Sequence, residues 1–262
     1  MLPFFRRLLR GPDPVPIEDA AWAALLEGVV WFDDLHADEL LRLREYTGHF
    51  LRTKRFVGAA GLVVTDDMRL VIAALASWTV LHIGHEALRG WTSVIVYPQG
   101  FRALRSDEDE LTGVVTEYHE ELIGEAWERG PLILSWADIE EDLDKPDDGV
   151  CVVVHEIAHK LDELSGGVDG MPRLPKGVSR DEWGRTFTQA YERLCALVDA
   201  GQEDDSLVDP YAAHSPEEFF AVCSEHVLCR PDLLEEQFPE VERLLRRFYG
   251  HARPASLNRP PA

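Results

Sequence analysis

Val152-Val-Val-His155-Glu156-Ile-Ala-His159-Lys-Leu-Asp162 carries two histidines four residues apart, with a glutamate directly after the first. On a helix this spacing sets both imidazoles on one face, one turn apart, where they can reach a single metal ion. Glu156 then stands beside the metal's open position without being a ligand. There it can take a proton from an attacking water and pass it to a leaving group. With ten His and 26 Glu in 262 residues, chance supplies about 0.04 copies of H-E-x-x-H. Small apolar residues fill the x positions and an apolar run leads in, as a buried active-site helix requires. The alternative is an ordinary amphipathic helix with exposed His and Glu, and the setting argues against it.

Two histidines do not complete a catalytic zinc site, which takes three protein ligands and a water. In H-E-x-x-H-x-x-G-x-x-H the third ligand would fall on Ser165, and Asp162 stands where the glycine should be, so that class is excluded. The other route is a glutamate on a later helix. Asp209-Pro-Tyr211-Ala-Ala-His-Ser215-Pro-Glu217-Glu218-Phe-Phe offers one, with Ser215 as N-cap and Pro216 in the first turn. Glu217 could equally be a first-turn acid complementing the helix dipole. Glu218, at the edge of the buried Phe219-Phe220 section, is favoured over it.

Other polar residues have competing readings. Glu225 and Asp162 could each support a zinc-bound histidine from behind or be plain surface charges. Cys151, one turn before His155, could compete as a ligand but reads better as a small buried thiol. His82, His85 and Glu86 invite a second metal site, yet H-x-x-H-E is not the inverted zincin motif, and a structural role is expected. His214 and His226 are taken as non-ligands, and Tyr211 by itself could be a loop aromatic.

Outward from these motifs, the chain is long enough for one large domain or two small ones. Its 48 acidic residues against 26 basic give a formal charge of −22. That excess argues against nucleic acid or an anionic membrane as the main partner. Leu70 to Gly84, the longest mostly apolar stretch, is too short and, with His82, too polar to span a bilayer. Four scattered cysteines form no C-x-x-C pair, and MLPFFRRLLRGPDP lacks the uninterrupted apolar run of a secretory signal. A cytoplasmic protein with free thiols is expected.

Periodicity predicts helix over about 17–56, a break at Gly58 to Gly61, and a long helix from Asp66 to about Leu88 with Thr65 as N-cap. Ser93 to Tyr97, Val114 to Tyr118 and Leu132 to Trp136 read as strands. Between Ser106 and Asp148 there are 16 acidic residues against two basic ones, a solvated face or a weak attraction for cationic substrates. Helices resume near Gly149 and run to Gly250. The expected divisions are an N-terminal helical segment at 1–60, the main domain at 61–250 and a disordered tail at 251–262. Helices, then strands, then helices suggest α+β with a small, mostly antiparallel sheet.

Taken together, HEIAHKLD at 155–162, GEAWERGPLILSW at 124–136, VYPQGF at 96–101, DPYAA at 209–213 and EEFFAVCSE at 217–225 resemble the Mlc titration factor A family of gluzincin metallopeptidases. The likeness covers most of the chain from about residue 60 to 250. It implies a mainly helical zincin-like fold related to the catalytic domain of anthrax lethal factor, with Leu132 to Trp136 as the edge strand that pairs with a peptide. It implies one Zn2+ held by His155, His159 and Glu218, with Glu156 as general base. Tyr211 would be aimed at the reaction centre, where a phenol stabilises an oxyanion. Thermolysin-type members place an Asp four residues after the ligand glutamate, and here that residue is Val222. The implied activity is aminopeptidase-like cleavage of short peptides, with a peptide or protein substrate. The alternative is an interaction protein that sequesters a transcriptional repressor of the Mlc type, its zinc serving as switch or structural element. Glu156 discriminates between them, because a purely structural zinc needs no base beside its first histidine.

Overall fold

The structure, a computed structural model, describes residues 13–99 and 130–250. In chain order it contains α1 (Asp19–Gly28), α2 (Ala37–Thr53), β1 (Arg55–Gly58), α3 (Asp66–Thr79), β2 (Ser93–Tyr97), β3 (Leu132–Ser135), α4 (Trp136–Asp144), α5 (Val152–Glu163), α6 (Arg180–Asp199), α7 (Pro216–Cys229), α8 (Pro231–Gln237) and α9 (Pro239–Tyr249). Short 3-10 turns at His85–Leu88 and Pro210–Ala213 matter below. The N-terminal run to residue 12, the expected strand at Val114–Tyr118, most of the acidic stretch and the tail from 251 lie outside the described residues.

Thr65 caps α3 as its sequence implies. Its hydroxyl accepts the Met68 N–H at 3.2 Å, and Asp66 and Asp67 follow at the positive end of the helix. From Ile72 to Thr79 every residue of α3 is buried, so the helix lies inside the core rather than on it. Phe219 to Cys229 of α7 are buried in the same way. α5 packs against both. Truncating a side chain such as Leu75 here would cost about 2–5 kcal/mol through lost transfer energy and the cavity left behind.

α3 ends at Thr79, well before Leu88. Val80 leaves the helical region at φ −106° and ψ 16°, and Gly84 takes φ +112°, a conformation no helix contains. The expectation of a mainly helical α+β fold holds, but its antiparallel sheet does not. β2 is the central strand and pairs in parallel with β1, Arg55 opposite Ser93, and with β3, Val94 opposite Leu132. The reason is a strand hidden in the helical pattern. Arg55-Phe-Val-Gly58 directly follows α2 and forms β1, after which α3 carries the chain across to β2. A crossover through a helix leaves both strands pointing the same way. Among the described residues no helix is long and apolar enough to cross a membrane.

Ser135, the last residue of β3, accepts the Asp138 N–H at 3.2 Å and so starts α4 without a loop; Trp136 is thus helical, not strand. The sheet thereby hands directly to α4, and α4 to the helix that carries the histidines.

Candidate metal centre

α5 begins where two buried carboxylates receive its first free amides. Asp142 of α4 accepts the Val152 N–H at 2.7 Å, and Glu225 of α7 accepts the Cys151 N–H at 2.7 Å. Both side chains are nearly inaccessible, and the positive end of the helix dipole offsets their charge. Three helices are thus joined at the point where the H-E-x-x-H segment starts.

Glu225 has a second contact. Its Oε1 lies 2.7 Å from His155 Nδ1, so Nδ1–H donates to the carboxylate and Nε2 faces the other way. The Nε2 edge of the ring leads to His159, whose Nε2 lies 3.1 Å from His155 Nε2, the rings standing edge to face at 76°. Glu218 completes the group from the first turn of α7. Its Oε2 is 3.1 Å from His155 Nε2 and its Oε1 3.5 Å from His159 Nε2. One ligand atom from each of the three residues lies within 4.8 Å of the others, and among the described residues no other such group is present.

The electrostatics are those of opposed charges crowded together. Burial pushes the His155 imidazolium down, but Glu218 and Glu225 on its two sides outweigh this and raise it to about 10. Burial likewise pushes the Glu218 carboxyl up, and the two histidines outweigh it, holding it well below the usual carboxylate range. Glu218 Oε2 is nonetheless buried with no aligned hydrogen bond. Converging imidazole nitrogens and a carboxylate oxygen short of a partner fit a divalent transition metal, and a three-residue set leaves a coordination position open.

The first turn of α7 is held as the sequence suggests, with Ser215 Oγ accepting the Glu218 N–H at 3.3 Å and Pro216 at the first position. It is Glu218, not Glu217, whose carboxylate meets the histidines. Tyr211 sits in the 3-10 turn Pro210–Ala213, where Asp209 Oδ1 accepts its N–H at 2.9 Å. Its ring is 6.4 Å from the His155 ring and stacks on His214 at 5.4 Å. Glu156 is half-buried beside His155 on α5.

Of the two supporting carboxylates weighed from sequence, Glu225 orients a histidine and Asp162 does not. Asp162 is fully buried, and one of its oxygens accepts the N–H groups of Asp169 at 2.8 Å and Gly170 at 2.7 Å. Cys151 is a buried free thiol, as are Cys223 and Cys229, with Cys195 partly buried and also free. His82 reaches Glu39 at 3.2 Å, and His85 stacks on His49 with ring centroids 4.6 Å apart. Asp142 is out of reach of sequence reasoning, because its partner is ten residues away across a Pro-Asp-Asp turn and no local pattern marks it. No local pattern marks Gly170 either.

A family model described as glucose-regulated metallo-peptidase M90 matches residues 7–250. The chain is similar to Mlc titration factor A of Pectobacterium atrosepticum, 36% identical over 82% of this chain and 80% of that protein. It is 34% identical to Mlc titration factor A of Yersinia pestis, over 86% of this chain and 82% of that one. A Synechocystis protein, slr2042, is 32% identical over 87% and 82% respectively. The chain belongs to the glucose-regulated M90 metallo-peptidase family, together with the Mlc titration factor A proteins.

Proposed function

We propose that this metallopeptidase is a zinc enzyme, aminopeptidase-like in its action on short peptides, in which His155, His159 and Glu218 hold one Zn2+. Glu156 is its general base and Tyr211 its oxyanion donor. The observation that carries this reading is the convergence of His155 Nε2, His159 Nε2 and a Glu218 oxygen, with Glu225 fixing the first ring from behind. Bound zinc supplies a water whose pKa is lowered toward ~7 and polarises the scissile carbonyl.

The chain's own groups do the rest. Glu156 takes the proton of the water as it attacks, then gives it to the departing amine. The Tyr211 phenol, held by the Asp209 turn and the His214 stack, donates its O–H to the developing oxyanion. The Glu225 carboxylate keeps the His155 tautomer and ring orientation constant through the cycle. Among the described residues β3 is paired only by β2 and packs against α5. A peptide substrate laid along its outer edge would gain main-chain hydrogen bonds beside the site.

The test is hydrolysis of a panel of amino-acid anilides by zinc-loaded protein and by Glu156→Gln prepared identically. The expected result is a loss of about 10²–10⁴-fold in turnover with zinc content unchanged. Equal rates in the two proteins would defeat the assignment of Glu156.

The printed name of the relatives, Mlc titration factor A, favours a second reading, in which this chain binds a transcriptional repressor of the Mlc type and the zinc site serves as switch. Negligible anilide turnover in both proteins, together with zinc-dependent binding to such a repressor, would put this reading first.

A further inference from the structure

Two of the three converging residues share one helix, so their separation is set by helix geometry alone. Glu218 is different. It comes from α7, and its reach depends on where the first turn of α7 sits against α5. A site loosened by about 1 Å holds its ligand poorly, so the position of the α7 first turn against α5 matters.

The contacts around Gly170 bear on that position. Asp162 lies on the last turn of α5, three residues beyond His159, and is fully buried. A single oxygen of it accepts the amides of Asp169 and Gly170, tying the loop after α5 back onto the helix. Trp183 of α6, also fully buried, donates its indole N–H to the Gly170 carbonyl at 3.0 Å. Gly170 itself takes φ +73°, and its α-carbon faces the backbone of α7. A Cβ added there would lie 2.5 Å from the carbonyl oxygen of Pro216, two residues before Glu218, and 3.5 Å from Cβ of Phe220. Gly170 is therefore a spacer of one backbone thickness, fastened to α5 by Asp162 and to α6 by Trp183, against which the first turn of α7 rests.

We propose that Asp162 and Gly170 are positioning residues that set the reach of Glu218 toward His155 and His159. Neither touches the ion or the substrate. This inference rests on the reading that those three residues hold the metal, and the experiment separates the two.

Zn2+ alone is titrated into the full chain against a chromogenic chelator, and Co2+ is substituted to record its visible spectrum, with the melting temperature of the metal-free protein measured in parallel. Glu218→Ala tests the underlying reading: if its Zn2+ affinity equals wild type, that reading fails and the proposal falls with it. Granted a loss there, Gly170→Ala, which drives a methyl into the Pro216 carbonyl, is expected to weaken Zn2+ binding by about 10–100-fold and to change the Co2+ spectrum. Asp162→Ala, which releases both amides, is expected to do the same. Asp162→Asn keeps an oxygen able to accept both amides and is expected to bind Zn2+ within a few-fold of wild type, whatever its melting temperature. Should Gly170→Ala not fold, Asp162→Ala adds no atom and carries the test. Wild-type Zn2+ affinity and Co2+ spectrum in Asp162→Ala overturn the proposal even if the protein melts lower, because Asp162 then only packs a loop. An Asp162→Asn protein as weak as Asp162→Ala also overturns it, because charge near His159 rather than the amide clamp would then be responsible.

Discussion

His155, His159 and Glu218 on one side, and His49, His85, Glu45 and Glu86 on the other, are built from the same residue types and behave differently. In the first group the imidazole nitrogens face each other at 3.1 Å and a carboxylate closes the third side. In the second, His49 and His85 lie ring on ring, 10° from parallel, and their glutamates stand off at 3.8 and 3.5 Å and remain largely exposed. Stacked rings direct their in-plane lone pairs alongside one another rather than toward a common point. The cause is the backbone. Helix α5 runs unbroken through both of its histidines, and Glu225 locks the first of them. The segment holding His82, His85 and Glu86 has already left α3 at Thr79 and turns through Gly84, so sequence spacing no longer fixes which side chains meet. Composition and spacing define a site only where the helix continues and a buried group orients the rings.

The sharpest way to break this contrast is to remove a converging side chain. Glu218→Ala or His159→Ala should reduce Zn2+ affinity, measured by chelator competition, well beyond the ~100-fold that loss of a supporting partner costs. The double variant His49→Ala with His85→Ala should leave both affinity and stoichiometry unchanged. A drop in stoichiometry there would make the second cluster a metal site after all.

Glu225→Gln makes the first cluster more like the second by weakening the group behind His155. A 10–100-fold loss of Zn2+ affinity is expected, and an unchanged affinity would show that α5 alone orients the ring. Metal removal gives a smaller effect. Zinc at 100 times its dissociation constant stabilises the folded state by about 2.7 kcal/mol, a rise in melting temperature of several degrees for a chain of this size. That rise should vanish in Glu218→Ala and persist in the His49, His85 double variant.

The smallest effect concerns Lys54, which follows α2 in the N-terminal region and is buried with no carboxylate among the described residues in contact. Its ammonium donates to the carbonyls of Leu88 and Trp91 and lies 3.4 Å from the centre of the Trp91 ring. Burial, with a smaller contribution from Lys160, pushes it down to about 7. Since the folded pKa is below the unfolded one, the unfolded chain binds more protons between about pH 7 and 10, and stability rises with pH across that window. Lys54→Met should flatten this slope in urea titrations. An unaltered slope would mean that the ring and the two carbonyls keep the ammonium charged.

The H-E-x-x-H helix, the Thr65 and Ser215 caps and the preference for Glu218 were legible because each rests on neighbours in sequence. A helix spacing of four, a hydroxyl three residues before an amide and a carboxylate at the edge of an apolar run are local facts. The parallel sheet was not legible, because β1 is four residues long and follows a helix whose periodicity runs straight into it. The termination of α3 is not legible for a similar reason: apolar residues continue past Thr79, and only the backbone conformations of Val80 and Gly84 reveal the end. The environment of Glu225 and Asp162 depends on which helix lies opposite, so sequence left each open between support and surface. The fold gave the first to His155 and the second to the Asp169 and Gly170 amides.

The histidine pair and Glu218 are separated along the chain by the whole of α6, and this has a consequence for how the protein matures. During synthesis the histidines leave the ribosome first, while the third converging residue is still unmade. If these three residues are the ligands, two imidazoles on a nascent helix would hold an ion only loosely, and full-strength capture would wait until α7 had emerged and docked. With the ligand set proposed above, a chain truncated between α5 and α7 would carry the recognisable motif yet lack the third ligand. On that reading the order in which the parts are made would keep an unfinished chain from loading metal early.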